Sequence, residues 1–422
     1  MMLTPAIFGL GVLAMGSPAQ ADEVSDLKAQ LKALQQRIEV LEKRPVETQV
    51  VTATGDKAAP AKPAQKGYFV IPGTETSVKI GGYAKLDAIY NDVSAGDNST
   101  ADQLFLPSSS IPLDREHADD NQVVLHGRQS RVNIGTTTDT TYGKLNTFVE
   151  GDFFGGSASA PEFRLRHAYG ELGKLLAGQT WSTFEIMDSL PDTLDFGGPA
   201  AQIFKRQGQV RWTEPFAWGS LQFAIEDPNA TLDNSAETDD DHFADLIARA
   251  NCKNEYGSYS VAVMARELSI DNTTVEDSTW GGAITVGGKI PTFGKDDLRF
   301  QLNYGNALGR YMTTGFKDAE YDTAHRSVET FDQWGGFLAY RHYWVDNLRS
   351  NLVYSYGSAD NDMSVVANTV NKEFQSVHTN LIWSPVPQVD LGVEYLYGYR
   401  EIESGDDGDL NRIQFSATYN FF

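Results

Sequence analysis

From residue 77 onward, apolar and polar positions alternate with a period of two, which is the pattern of strands with two unlike faces. In the first run Val78, Ile80, Ala84, Leu86 and Ala88 share one face, while Lys79, Tyr83, Lys85 and Asp87 share the other. The pattern recurs to the end of the chain. It predicts strands at 77–91, 124–137, 142–154, 162–172, 174–181, 205–214, 217–227, 243–253, 256–267, 278–290, 296–307, 332–344, 347–357, 374–384, 387–400 and 410–421. That is sixteen, an even number, and most approach the roughly 9–11 residues of a tilted membrane strand. The connections alternate in length. Long ones cover 92–123, 182–204, 228–242, 268–277, 308–331, 358–373 and 401–409, while the rest are mostly short turns. Membrane barrels segregate loop length in this way, and a soluble sandwich has no reason to. Trp212, Phe216, Trp218, Tyr256, Phe293, Trp344 and Trp383 all lie at or beside short turns, as an interfacial girdle requires. The predicted fold is an all-β transmembrane barrel of 16 antiparallel strands over 77–422, with an N-terminal α-helical coiled coil.

The region before the barrel follows other periods. Residues 5–15 are short and mostly apolar and lead to Ala19-Gln20-Ala21, which predicts a secretory signal peptide over 1–21. No Lys or Arg precedes the apolar run. Val24, Leu27, Leu31, Leu34, Ile38 and Leu41 then fall at a and d heptad positions, predicting a self-associating periplasmic coil over 22–44 that we expect to be trimeric. Residues 45–76 form a Pro-, Ala- and Lys-rich linker and lead-in.

Charge alters the picture. Among 422 residues, 34 Lys+Arg face 57 Asp+Glu, a net charge of −23, which argues against nucleic acid as a partner. A lone Cys252 rules out an intramolecular disulfide framework and a Cys-based zinc site. After residue 21 no run approaches the roughly 18 apolar residues of a membrane helix. Sorting by parity splits the −23. The 228–242 loop carries five acids and no Lys or Arg, and so does 401–409. Strand charges must instead point to the lumen, because an Arg facing the lipid midplane costs about 2–4 kcal/mol. Inward positions then include Arg131, Arg164, Arg166, Arg211, Arg249, Arg266, Arg299 and Arg349, with Arg128 and Arg206 ambiguous near strand ends. The 182–204 connection brings Glu185, Asp188, Asp192 and Asp195. Folded into the lumen opposite strands two, four and six, it would set acids against arginines across the pore, as charged rings in channels do. Arginine suits a carboxylate solute because its planar fork binds bidentately and stays charged. The same arginines could instead pair with lumen acids and brace the wall.

Residues 71–91 (IPGTETSVKIGGYAKLDAIYN) and 176–184 (LAGQTWSTF) resemble the DcaP-type channels of Gram-negative outer membranes, and the order of coil, tether, barrel and terminal Phe matches theirs. The resemblance implies a homotrimeric porin for small anions, dicarboxylates and aromatic dicarboxylates in particular. The expected partners are outer-membrane lipid and lipopolysaccharide, small anionic solutes, further copies of the chain and a periplasmic partner for the coil. No cofactor or metal is expected. The acidic loops lack EF-hand spacing, and no H-E-x-x-H, G-x-S-x-G or phosphate loop points to an enzyme. His167 and His378 are the positions to inspect for a hidden hydrolase pair. The alternative function is a structural, envelope-anchoring barrel with weak, non-selective conductance.

Overall fold

A computed structural model describes residues 67–96, 99–114, 119–228, 242–271 and 276–421. The expected signal peptide, coil and most of the linker (Val24, Leu27, Leu31, Leu34, Ile38 and Leu41 among them) lie outside the described residues, as does Phe422. The strands are β1 (Thr76–Ser94), β2 (Asp119–His126 and Arg131–Thr140), β3 (Gly143–Gly156), β4 (Pro161–Leu172), β5 (Leu175–Trp181), β6 (Arg206–Phe216), β7 (Gly219–Glu226) and β8 (Asp245–Asn254). They continue as β9 (Gly257–Asp271), β10 (Glu276–Pro291), β11 (Asp297–Gly305), β12 (Asp332–Val345), β13 (Leu348–Asp360), β14 (Asn371–Val386), β15 (Val389–Ile402) and β16 (Asp407–Asn420). Each pairs antiparallel with the next. β1 pairs with β16 from Tyr83↔Asn420 to Asn91↔Arg412, so the sheet closes into a sixteen-strand barrel. Closure leaves no unpaired edge, which is what lets strands cross lipid.

The alternation read from the sequence is the alternation of burial. Val210, Trp212, Leu221, Phe223 and Ile225 are exposed on the outer face, while Gln207, Gln209 and Gln222 are buried on the inner one. The barrel is therefore apolar outside and polar within. Six of the turns on one end hold two residues each, at 141–142, 173–174, 217–218, 255–256, 346–347 and 387–388. Tyr142, Trp218, Tyr256, Phe293 and Trp344 stand exposed beside this end and form the girdle.

Several boundaries differ from the expectation, among them β1 and β13, which run on to Ser94 and Asp360, and β14, which begins at Asn371. The second strand is interrupted at 127–130, where Ser130 Oγ accepts the Lys85 N–H (3.0 Å) in place of a ladder carbonyl. Gly127 and three polar residues offer no apolar face to hold that stretch against lipid. β9 and β10 run further than read, to Asp271 and from Glu276, which shortens the connection expected at 268–277. β16 begins at Asp407, inside the segment read as the loop 401–409.

The hydrophobic core lies inside the barrel. Phe105, Ile111, Phe184, Ala200, Ala201, Ile203, Leu308, Tyr311, Met312, Phe316 and Phe374 form one buried cluster contributed mostly by the long connections. Burying such side chains is worth about 1.5–3 kcal/mol each, so these connections pack down into the lumen. Contact is close enough that a Cβ on Gly197 would sit 1.7 Å from the Phe105 carbonyl oxygen, which explains glycine there.

Candidate functional site

The connection from Ser182 to Lys205 folds into the lumen and is pinned along its length. The N–H groups of Leu194 and Asp195 donate to the Glu394 carboxylate on β15 (2.8 and 3.1 Å). Asp195 also accepts from Phe105 N (3.0 Å), Gly197 N (2.7 Å) and Arg412 Nη1 (2.7 Å). Asp192 binds Arg349 at 2.6 Å. Arg299 donates to the Leu190 carbonyl and Arg249 to the Glu185 carbonyl. Asn303 and Ser376 hold the Ala201 carbonyl and Ala200 N–H at 2.9 and 3.1 Å.

Between this loop and the wall of β2 to β5 lies a cavity of about 480 Å³, lined among others by Arg131, Arg166, His167, Trp181, Phe196 and Phe204. Phe196, on the loop, sits among three guanidinium groups, with Arg131, Arg164 and Arg166 at 5.6, 5.9 and 5.2 Å from its ring centroid. Phe154 stacks on Phe196 at 4.9 Å, and Phe204 meets it edge-on at 5.8 Å. Arg206 lies 4.8 Å over Trp181, and Arg131 lies 5.4 Å over Tyr83. Cation–π contacts at these distances hold the guanidinium planes while leaving their edges as donors.

Two acids on β3 partly neutralise the group. Arg164 binds Asp152 bidentately (3.0 and 2.9 Å), and Arg166 bridges Asp152 and Glu150 (2.8 and 2.9 Å). Arg131 is 3.7 Å from Glu150. Arg206 has no carboxylate within salt-bridge distance among the described residues. Four arginines therefore answer to two carboxylates, and the wall carries excess positive charge. Arg166 is 1 % exposed and acts as the brace, whereas Arg164 at 35 % and Arg131 at 20 % keep a free face. A bulge sets this up: Glu150 pairs with His167 and Gly151 with Leu165, so Arg166 is the extra residue on β4. Arg164, Arg166 and His167 all reach the inner face, which strict alternation forbids.

The DcaP outer membrane protein family model matches residues 12–421. The chain belongs to the DcaP outer membrane protein family. Its barrel superposes on the outer membrane channel DcaP of Acinetobacter baumannii with a TM-score of 0.75 and 22% identity, covering 84% of this chain and 99% of that one. An anion-selective porin from Comamonas acidovorans follows at 0.55 and 14%, covering 82% and 100%. OmpT of Vibrio cholerae in its trimer form gives 0.52 and 11%, covering 82% and 99%. These likenesses show the fold. No curated protein matches the chain by sequence. A DcaP-family barrel is an outer-membrane channel of the porin type, in a family of channels rather than of enzymes.

Other residues singled out from the sequence sit elsewhere in this family member. Arg266 is fully buried between Asp245 (3.2 Å) and Asp318 (2.9 Å) and ties the 306–331 connection to the wall, away from the cavity. Arg299 pairs with Asp297, and Arg349 with Asp192 and Asp390, near the short turns. Arg211 lies on the inner face of β6, where its Nε has no hydrogen-bond partner among the described residues. The loop acids do not face the arginine wall as a row. Asp192 and Asp195 turn to Arg349 and Arg412, and Glu185 is buried beside Arg249. Asp188 is exposed. The reason is local: Asp195 is satisfied by the backbone N–H groups of Phe105 and Gly197 and by the Arg412 guanidinium. Burial lifts the Glu185 carboxyl well above the ordinary carboxylate range, with Arg249 opposing the shift. His378 lies on the inner face against Glu394 at 3.3 Å, and His167 against Thr180 at 3.0 Å.

Alternation left Arg206 ambiguous and missed Trp181, Phe196 and Phe204. The first two sit where strands end and parity lapses. The phenylalanines flank Gly197-Gly198-Pro199 in an otherwise acidic loop, which was their only signal.

Proposed function

We propose that this outer-membrane channel passes small hydrophilic anions, dicarboxylates and aromatic dicarboxylates in particular, selected at an arginine-lined constriction. The observation that carries this reading is the placement of Arg131, Arg164 and Arg166 around Phe196. Carboxylates find charge-assisted donors there. An aromatic anion finds ring surface beside them in Phe196 and Phe204. The Comamonas acidovorans porin of like fold is anion-selective, which favours the same sign. We further propose a homotrimer, with residues 1–21 removed and the 22–44 coil in the periplasm on its 45–76 tether. The heptads and the trimeric OmpT of like fold support that assembly.

Reversal potential in a KCl gradient across planar bilayers is the test. The wild type should prefer chloride, and R131A/R164A/R166A should shift the potential toward cations. A cation preference in the wild type that the triple variant leaves unaltered overturns the anion reading. A barrel without conductance would instead favour the envelope-anchoring role that the heptads suggest. Deleting residues 22–44 and measuring assembly separates a coil-driven trimer from one held by the barrel.

A further inference from the structure

The loop leaves a second compartment on its other side. A cavity of about 310 Å³ lies between Ile186–Asp188 and the inner faces of β7, β8 and β9, close to the short turns at 217–218 and 255–256. Arg249 and Lys253 project from β8 along one row, with Asn251 between them. Arg249 spends Nε on Gln222 (2.8 Å) and Nη1 on the Glu185 carbonyl, both neutral acceptors. Its Nη2 donates to nothing among the described residues, and neither does the exposed Lys253 ammonium. Asn251 Nδ2 donates to Ser220 Oγ at 3.0 Å, so the Ser220 hydroxyl hydrogen is free to point at a guest. Asp188 is the one carboxylate on the lining. Burial disfavours the charged form of Glu185, one residue before the Ile186–Asp188 lining, and raises its pKa well above the ordinary carboxylate range, with Arg249 opposing. Arg211 adds positive charge from the neighbouring wall. Met187, 44 % exposed, lines both this cavity and the one beside Phe196, so a flexible thioether lies between the two.

We propose that this cavity is a second anion-binding site, a station on the short-turn side of the loop that takes a small carboxylate between Arg249 and Lys253 after it passes Met187. The proposal rests on the anion reading of the constriction. Two weak sites in series suit conduction, since a bound solute must also leave.

Single-channel recording with succinate, a compact dianion, tests it. Succinate added on the short-turn side should block the wild type, and R249Q should raise the half-blocking concentration about tenfold, the loss of a charged hydrogen bond. Because R249Q could also loosen the loop, K253Q provides the second arm. The Lys253 side chain makes no hydrogen bond or ion pair to the loop among the described residues, and its loss should raise that concentration about threefold, as for an exposed charge. Half-blocking concentrations that stay at the wild-type value in both variants overturn the site, as does a wild type that succinate does not block from that side. The wild-type reversal potential judges the constriction separately. A chloride preference combined with succinate block indifferent to both variants sinks the second site alone.

Discussion

Two regions of the lumen are built from the same residue types and behave as opposites. On the wall of β2 to β4, Arg131 and Arg164 keep exposed faces beside Phe196, and the arginines outnumber the carboxylates that meet them. On the wall of β13, β15 and β16, Arg349 and Arg412 meet the loop acids Asp192 and Asp195 one for one. The Asp195–Arg412 pair is 1 % exposed on each side. A lumen arginine is therefore not in itself a selectivity element. On the proposed anion reading it becomes one where the bracing charge is subtracted and a free donor edge remains.

Breaking the closed region should have the largest effect. D195A removes the acceptor of the Phe105 and Gly197 N–H groups and strands the Arg412 guanidinium, which also holds the carbonyls of Ala101 and Asp102. Leaving such a charge unpaired in a buried site costs about 3–5 kcal/mol. The heat-induced mobility shift of the folded barrel should move to lower temperature, and the open channel should become noisy as the loop loosens. D195A/R412A should cost less than the two single variants together, because the stranded charge is gone. A D195A barrel as heat-resistant and quiet as the wild type would mean that Glu394 and the other pins hold the loop without Asp195.

The contrast between the two regions also marks what the sequence could tell. Sixteen strands were legible because lipid on one side and water on the other force a period of two. The charged inner face followed from the same alternation. The pairing that decides each arginine's role was not legible, since Arg412 finds Asp195 across 217 positions and Arg349 finds Asp192 across 157. Nor was the bulge that adds Arg166 and His167 to one face, because it depends on a register shift between β3 and β4. The aromatic half of the cavity lining went unseen for a further reason. Phe196 and Phe204 lie on a loop that has no period from which direction could be read.

Loosening the open region is the next test, and it acts on conduction. F196A removes the ring that three guanidinium groups share, at about 0.5–1 kcal/mol for each exposed cation–π contact. It also deletes the bulk facing the β2–β5 wall. Conductance should rise and the preference for an aromatic dicarboxylate over succinate should fall, while chloride preference persists because Arg131 and Arg164 remain. A rise in conductance with the aromatic preference intact would place that preference on Phe204 and Trp181 instead.

The effect smallest near pH 4, and the sharpest in its pH dependence, concerns Glu185, which belongs to neither region. Neither carboxylate oxygen finds a hydrogen-bond donor among the described residues, and burial raises the pKa well above its ordinary value of 4.5. The folded state then holds a proton that the unfolded chain has released. Glu185's contribution to stability must fall as pH rises above 4.5, by about 1.4 kcal/mol per pH unit until the folded-state pKa is reached. E185Q cannot ionise, so it should match the wild type near pH 4 and gain on it steadily above. The measurement is the unfolding temperature of both proteins in detergent from pH 4 to pH 8. Parallel curves over that range would mean that the wild-type carboxylate ionises freely inside the folded barrel, and that Arg249 rather than burial sets its state.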